Sequence, residues 1–392
     1  MKIVHVYKDY FPPVRGGIEQ TIHRMAYWQV AAGHDVTVLV AAGAGAGTHE
    51  EIVDGVRVIR VREWGRALSS PLCPDFPAAL DALRADLWHL HSPNPLGEVA
   101  FHWAQPRGAL VFTYYCDITR QRVLIPAYRP LVHALFRRAD VLHAIAPQAL
   151  ERVDSMLAPF RDRFRVVPLG IEAGELLELD RGRPGARALR ERYGGSYLLF
   201  VGRLRHYKGL HHLLDAMLQV DVPLVIVGDG AQEAALKSQT TRLGLHGKVT
   251  FAGAVSDEVL KDHLAGASIG LLPSSAPTEA FGLAMVEYMA AGLPAICTEL
   301  GTGTSFVNQH GVTGLVVPPR DASALVSGVK QLLADPALRE SMGQAGRERV
   351  RRLFTTEAMM HRMDGLYAEA LRVAADRPHG RGPAPTSGSD RG

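Results

Sequence analysis

Short apolar runs recur along this chain, each followed by a polar loop and then by a stretch of helix formers. Lys2–Tyr7, His34–Val40, Val56–Val61, Leu87–His91, Leu110–Tyr115, Val141–Ala146 and Arg165–Leu169 form a first series. A second follows at Tyr197–Val201, Leu224–Val227, Val249–Phe251, Ile269–Leu272 and Pro294–Thr298. Strands so continuously apolar are buried on both faces, and helices between them are the crossovers of a parallel sheet. The pattern therefore predicts an α/β fold with a mostly parallel sheet in each half. Ligands of such sheets lie beyond the carboxyl ends of the strands. That places Gly16-Gly17, His91-Ser92-Pro93-Asn94 and Tyr115-Cys116-Asp117 along one rim.

At 392 residues the chain is too long for one ordinary core. The charged, Gly/Pro-bearing stretch Glu172–Gly195 reads as a linker, dividing residues 1–175 from 176–354. Ala41–Gly47 reads as a flexible Ala/Gly loop. Thr355 or Thr356 opens a long amphipathic helix over 355–374, and 375–392 lacks the apolar content to order itself. No apolar run approaches the ~18 residues of a membrane span. The N-terminus reads as a strand, not a signal peptide, because no apolar core follows Lys2. Cys73, Cys116 and Cys297 match no metal spacing and suggest a reducing cytoplasm. The net charge of +3 is too small to name a partner, and no nucleic acid is expected. Charge is uneven, however: Phe101–Arg165 holds ten arginines against five acids. Arg120, Arg122, Arg129, Arg137 and Arg138 are therefore candidates for contact with anionic membrane, or simply for a solvated basic face.

The chemistry concentrates at Pro273–Gly292. A strand there gives way to a polar loop, and a helix over Gly282–Ala291 is stopped by Gly292 and Pro294. Glu279 lies in the loop and Glu287 in the helix, so both carboxylates are able to face one cleft. The turn Ala280-Phe281-Gly282-Leu283 offers N–H groups and a helix dipole to an anion such as a diphosphate. Arg203 and Lys208 follow the strand Tyr197–Val201 and supply a planar fork and a point charge for two phosphates. Gly16 and Gly17 open the first crossover helix, and Gly228 and Gly230 end another strand; both pairs permit close backbone approach. Glu287 is placed to accept both hydroxyls of a ribose. Neither Asp-x-Asp nor a His/Cys cluster is apparent, so no metal and no cofactor are expected. The charge of a leaving diphosphate then falls to Arg203, Lys208 and backbone N–H groups. His91 at a strand end is a candidate ligand or base, or a merely hydrogen-bonded histidine. Asp117 and Arg120 are candidates to grip a polar substrate, or a surface pair.

Glu279-Ala280-Phe281-Gly282-Leu283-Ala284-Met285-Val286-Glu287 resembles the E-x7-E signature of retaining glycosyltransferases of family GT4. The resemblance extends from Lys2 to about Ala374. It includes Gly16-Gly17-Ile18-Glu19, Gly202-Arg203-Leu204 with Lys208-Gly209, Val227-Gly228-Asp229-Gly230 and Gly311-Val312-Thr313-Gly314-Leu315. It implies the GT-B fold: two facing Rossmann-like domains, the first for the acceptor and the second for the donor, with the last helix crossing back to the first. By the same resemblance Arg203 and Lys208 hold the diphosphate and Glu287 the ribose. Glu279 lies near the donor sugar and Gly17 near the phosphates. The resemblance also implies front-face attack, with the leaving phosphate oxygen helping to deprotonate the acceptor.

Thr113-Tyr114-Tyr115-Cys116-Asp117-Ile118-Thr119-Arg120-Gln121 and Glu299-Leu300-Gly301-Thr302-Gly303-Thr304-Ser305 resemble segments of a bacterial polysaccharide, mannosyltransferase-like subgroup. That implies a nucleotide-diphosphate sugar, GDP-mannose or a UDP-sugar, and a glycan or lipid-linked acceptor. The implied location is cytoplasmic or at the inner membrane face. The chain departs from the subgroup at Tyr115, where a histidine contacts the donor sugar, and at Cys116, where serine is usual. Tyr115 either replaces that contact or marks a different sugar. A sugar-nucleotide 2-epimerase of the same fold and a non-catalytic sugar-nucleotide-binding protein are the competing readings; the Glu279/Glu287 pattern argues against the first.

Overall fold

The computed structural model describes residues 1–14, 16–67, 70–116, 125–151 and 156–377. Two twisted sheets carry the architecture. The first has eight strands, in the spatial order Phe164–Val166, Val141–Ala144, Ala109–Tyr114, Leu87–Ser92, Lys2–Val6, Asp35–Ala44, Val56–Glu63 and His49–Val53. All pair in parallel except His49–Val53, an antiparallel edge strand. The second has six parallel strands, ordered Val249–Gly253, Leu224–Val227, Leu198–Val201, Ile269–Leu272, Ala295–Thr298 and Gly314–Val317. Each sheet reverses its winding once. The reversal lies between Lys2–Val6 and Leu87–Ser92 in the first and between Leu198–Val201 and Ile269–Leu272 in the second. A crevice opens outside the strand ends at such a reversal.

The strand sequences explain the burial. Ile269–Leu272, Leu224–Val227 and Ala295–Thr298 are buried along their whole length. So are Leu87–Ser92 and Ala109–Tyr114, although these carry polar residues. Helix Thr356–Ala375 begins where the Thr355 hydroxyl accepts the Ala358 N–H, at 3.1 Å. It lays Met359, Met360, Met363 and Tyr367 against Ile3, Leu87 and Val111 of the first sheet. The two places where the chain passes between the halves lie side by side. Ile171 N–H donates to the Phe354 carbonyl and Thr356 N–H to the Ile171 carbonyl, both at 2.9 Å.

Two local expectations are corrected. Glu172–Gly195 is not only linker: it holds the helices Gly174–Leu177 and Pro184–Arg192, the second opened by proline at its first position. The strand Asp35–Ala44 runs on into the supposed Ala/Gly loop, because its neighbour Val56–Glu63 continues to pair with it up to Ala44. A small antiparallel pair, Arg66–Ala67 with Ser70–Pro71, has no counterpart in the sequence reading. Asp117, Arg120, Arg122 and residues 378–392 lie outside the described residues.

Candidate active site

Lys208 and Glu279 meet across the winding reversal of the second sheet. Lys208 lies on a turn of 3-10 helix after strand Leu198–Val201, and Glu279 lies in the loop after Ile269–Leu272. Lys208 Nζ approaches Glu279 Oε2 to 2.6 Å, with both side chains buried. The Ser274 hydroxyl donates to the same carboxylate oxygen at 2.8 Å, and the Thr302 hydroxyl donates to the Glu279 backbone carbonyl at 2.7 Å. Burial works against the charged form of Lys208, but the Glu279 carboxylate, with Tyr207 and Glu287, outweighs it and holds the ammonium pKa above its ordinary value.

The pair faces a cavity of about 480 Å³ that also reaches Gly16, Gly17, Tyr115, Gly282, Leu283 and Glu287. Ala280 and Phe281 complete that wall. Gly282 stands at the N-cap of helix Leu283–Ala290 with φ +85°, a backbone angle that favours glycine. First-turn N–H groups of a helix have no acceptor within it, so this wall presents donors. Burial raises the carboxyl pKa of Glu287; the guanidinium of Arg24, from helix Gly17–Ala31, and Lys208 oppose it.

Arg203 is exposed and lines an adjoining cavity of about 620 Å³ with Gly228, and the two cavities share Val201, Gly202 and Leu260. Gly228 has φ +125°, and a Cβ there would lie 2.2 Å from the Gly202 carbonyl oxygen. The two loops therefore touch through backbone alone, which keeps this end of the cleft open.

Of the residues singled out in the sequence, Gly16, Gly17, Lys208, Glu279–Leu283, Glu287 and Tyr115 line one cavity, and Arg203 and Gly228 line its neighbour. His91 does not line either. It is fully buried beneath the rim, bonded through Nε2 to His5 at 3.0 Å and through Nδ1 to the Tyr115 hydroxyl at 3.0 Å. Both ring nitrogens of His91 are therefore engaged by protein partners. Glu19 was quoted in the sequence only as part of a motif. It is buried on the cavity wall, and burial lifts its carboxyl pKa.

The sequence reading saw no histidine cluster, yet ring nitrogens of His5, His89 and His91 lie within 4.8 Å of one another. Strand pairing of His5 with His89, and the two-residue spacing to His91, put all three on one sheet face. Every nitrogen of these rings already has a protein hydrogen-bond partner.

Residues 187–349 match the family described as glycosyl transferases group 1, and residues 16–170 match the glycosyl transferase 4-like domain. The D-rhamnosyltransferase WbpZ of Pseudomonas aeruginosa is 35% identical over 364 residues, covering 91% of this chain and 92% of that one. The chain belongs to the group 1 glycosyltransferases. Another relative, the O-antigen chain mannosyltransferase C of Escherichia coli, is 32% identical, covering 95% of this chain and 99% of that one. Among solved structures, sucrose-phosphate synthase from Thermosynechococcus elongatus superposes with a TM-score of 0.76 at 24% identity, covering 94% and 98% of the two chains. HepE of Anabaena, in complex with UDP and glucose, gives 0.75 at 20%, covering 94% and 99%. These likenesses show that this group 1 glycosyltransferase has the GT-B fold. No described helix is long and apolar enough to cross a membrane.

Proposed function

We propose that this glycosyltransferase moves a hexosyl group, with retention and without metal, from a nucleotide-diphosphate sugar to a glycan or lipid-linked acceptor in cell-surface polysaccharide synthesis. GDP-mannose and UDP-sugars are the donor classes, and the mannosyl- and rhamnosyltransferase relatives support transfer of a hexosyl group. The observation that carries the reading is the buried Lys208–Glu279 pair on one cavity wall with Glu287 and the glycine-capped helix start. A diphosphate entering there meets Lys208, Arg203 and helix N–H groups, and Glu287 takes the ribose diol. As the anomeric bond breaks, charge grows on the diphosphate, and these fixed donors stabilise it. The leaving phosphate oxygen then takes the acceptor proton on the same face. Glu279, released from Lys208 by the phosphates, is free to accept a hydroxyl of the donor sugar.

In this reading residues 1–175 with the helix at 355–374 serve the acceptor and 176–354 the donor. The site of action is the cytoplasmic face of the membrane. Arg129 and Arg137 are exposed there for anionic lipid, whereas Arg138 turns inward onto the Pro106 carbonyl and the Phe101 ring.

The deciding experiment is a thermal-shift panel of GDP-, UDP- and ADP-sugars, followed by transfer from the strongest binder and NMR of the product's anomeric configuration. A bound donor raises the melting temperature by mass action. No shift with any nucleotide sugar, or an inverted product, sinks the proposal.

A further inference from the structure

The buried histidines of the first sheet belong to one chain of hydrogen bonds, and its direction is fixed by where it ends. His143 Nε2 lies 2.9 Å from the Val167 carbonyl, which only accepts, so Nε2 carries the hydrogen. In the neutral ring Nδ1 then accepts, and the Thr113 hydroxyl donates to it at 2.8 Å. Thr113 has spent its only hydrogen, so it accepts from His89 Nε2 at 2.6 Å. His89 Nδ1 accepts from the Tyr367 hydroxyl at 2.7 Å, and the Tyr367 oxygen accepts from Gln29 Nε2 at 3.0 Å. The Gln29 oxygen accepts from His5 Nε2 at 2.7 Å. His5 Nδ1 accepts from His91 Nε2 at 3.0 Å, and His91 Nδ1 is left to accept from the Tyr115 hydroxyl at 3.0 Å. All four imidazoles are thus neutral Nε2–H tautomers. Every ring nitrogen and hydroxyl of the chain has a partner, and the Tyr115 hydrogen points inward.

Neutrality is what the surroundings require. The four histidines are buried, and among the described residues no carboxylate bonds any of their rings. A cation held by His5, His89 and His91 would have to break the His5–His91 bond and sit as an uncompensated buried charge. Burial also lowers all four imidazole pKa values, to about 4 for His5 and His143.

We propose that this chain is a positioning device: it commits the Tyr115 hydrogen to His91, so that Tyr115 meets the donor as a hydrogen-bond acceptor for a sugar hydroxyl. The inference rests on the donor reading above, since Tyr115 lines the same cavity as Lys208, Glu279 and Glu287. Tyr115 is the residue that touches ligand; His91, His5, Gln29 and Tyr367 act through it.

The first test does not involve activity. Long-range proton–nitrogen NMR of ring-labelled protein at pH 7, assigned by single variants, should show His5, His89, His91 and His143 all as neutral Nε2–H tautomers. Adding Zn²⁺ should leave these four unchanged. A neutral Nδ1–H ring or an imidazolium at any of the four, or a Zn²⁺ shift at His5, His89 and His91, overturns the chain.

The second test compares calorimetric affinities for GDP-mannose and GDP, with UDP-glucose and UDP as the second pair. Tyr115→Phe should weaken the sugar nucleotide about three- to tenfold, the scale of one neutral hydrogen bond, and leave the free nucleotide unchanged. His91→Leu should do the same. His91→Gln, whose amide is able to accept from Tyr115 and donate to His5, should restore most of the preference. Equal effects on sugar nucleotide and nucleotide, or no effect on either, overturn the role of Tyr115. A wild-type protein that binds no nucleotide sugar overturns the proposed function and the sugar contact with it, while the tautomer result judges the chain separately.

Discussion

The two sheets are wound alike but carry their polar residues in different places. The strands Leu198–Val201, Leu224–Val227 and Ile269–Leu272 of the second sheet are apolar throughout, and Arg203, Lys208, Gly228 and Glu279 all stand beyond the strand ends. The first sheet keeps polar groups inside its strands: His5, His89, His91, Thr113 and His143 lie on one buried face under Gln29 and Tyr367. The difference teaches that one half acts through charge held at the rim, and the other through hydrogen bonds fixed beneath it. Loss of a rim charge should therefore cost catalysis directly. Loss of a buried link should cost orientation and stability.

The comparison breaks most visibly at Lys208 and Arg203. If charge develops on the diphosphate without a metal, Lys208→Ala or Arg203→Ala should lower kcat by ~10²–10³ with a smaller loss of donor affinity. Arg203→Lys should rescue only in part, since an ammonium lacks the planar fork. Steady-state transfer with radiolabelled donor, beside direct binding, decides it; near wild-type kcat in both alanine variants would mean that the diphosphate lies elsewhere.

The buried face should answer to pH instead. His5 and His143 bind protons near pH 6.5 when unfolded but only near pH 4 when folded. Between those values the unfolded state holds more protons, so stability present above pH 6.5 drains away as pH falls toward 4. The loss is at most about 3 kcal/mol for each group. Urea unfolding across that range should show the slope, and the double variant His5→Gln, His143→Gln should make it shallower, with His89 and His91 still contributing. A flat wild-type profile would mean that these rings are not held neutral.

Glu287 sits between the two behaviours, half-buried and on the cavity wall. Glu287→Ala should weaken nucleotide binding by ~1.5–3 kcal/mol, the value of hydrogen bonds to a charged group. Unchanged affinity by calorimetry, with the fold intact, would remove it from the ribose site. The smallest effect is expected from EDTA, which should leave transfer unaltered; activity lost to EDTA and restored by Mg²⁺ would show that the rim charges do not suffice.

What could be read from sequence follows the same division. Rim residues follow apolar runs in glycine-bearing turns or open the helix after them, so Glu279, Glu287 and Lys208 stood out by local pattern. Their proximity is tertiary: Lys208 and Glu279 come from different crossovers, and only the strand order makes them an ion pair. The histidine chain was illegible for a related reason. A single polar residue within an apolar strand gives no sign of its partners until the register sets His5 beside His89 and Thr113 beside His143. Helix Pro184–Arg192 was hidden by composition, because Pro and Gly at its start look like linker unless the proline is taken as a first helical residue.

The last helix gives the molecule an order of assembly. A chain made from its N-terminus presents His5, His89 and His143 to the solvent of the ribosome exit long before Tyr367 exists. The six strands of the second sheet are complete first, and all of them precede Thr356. The face that the methionines and Tyr367 finally cover must therefore wait, half-wet, through nearly the whole of translation. Of the two sheets, the one made first is the last to be finished.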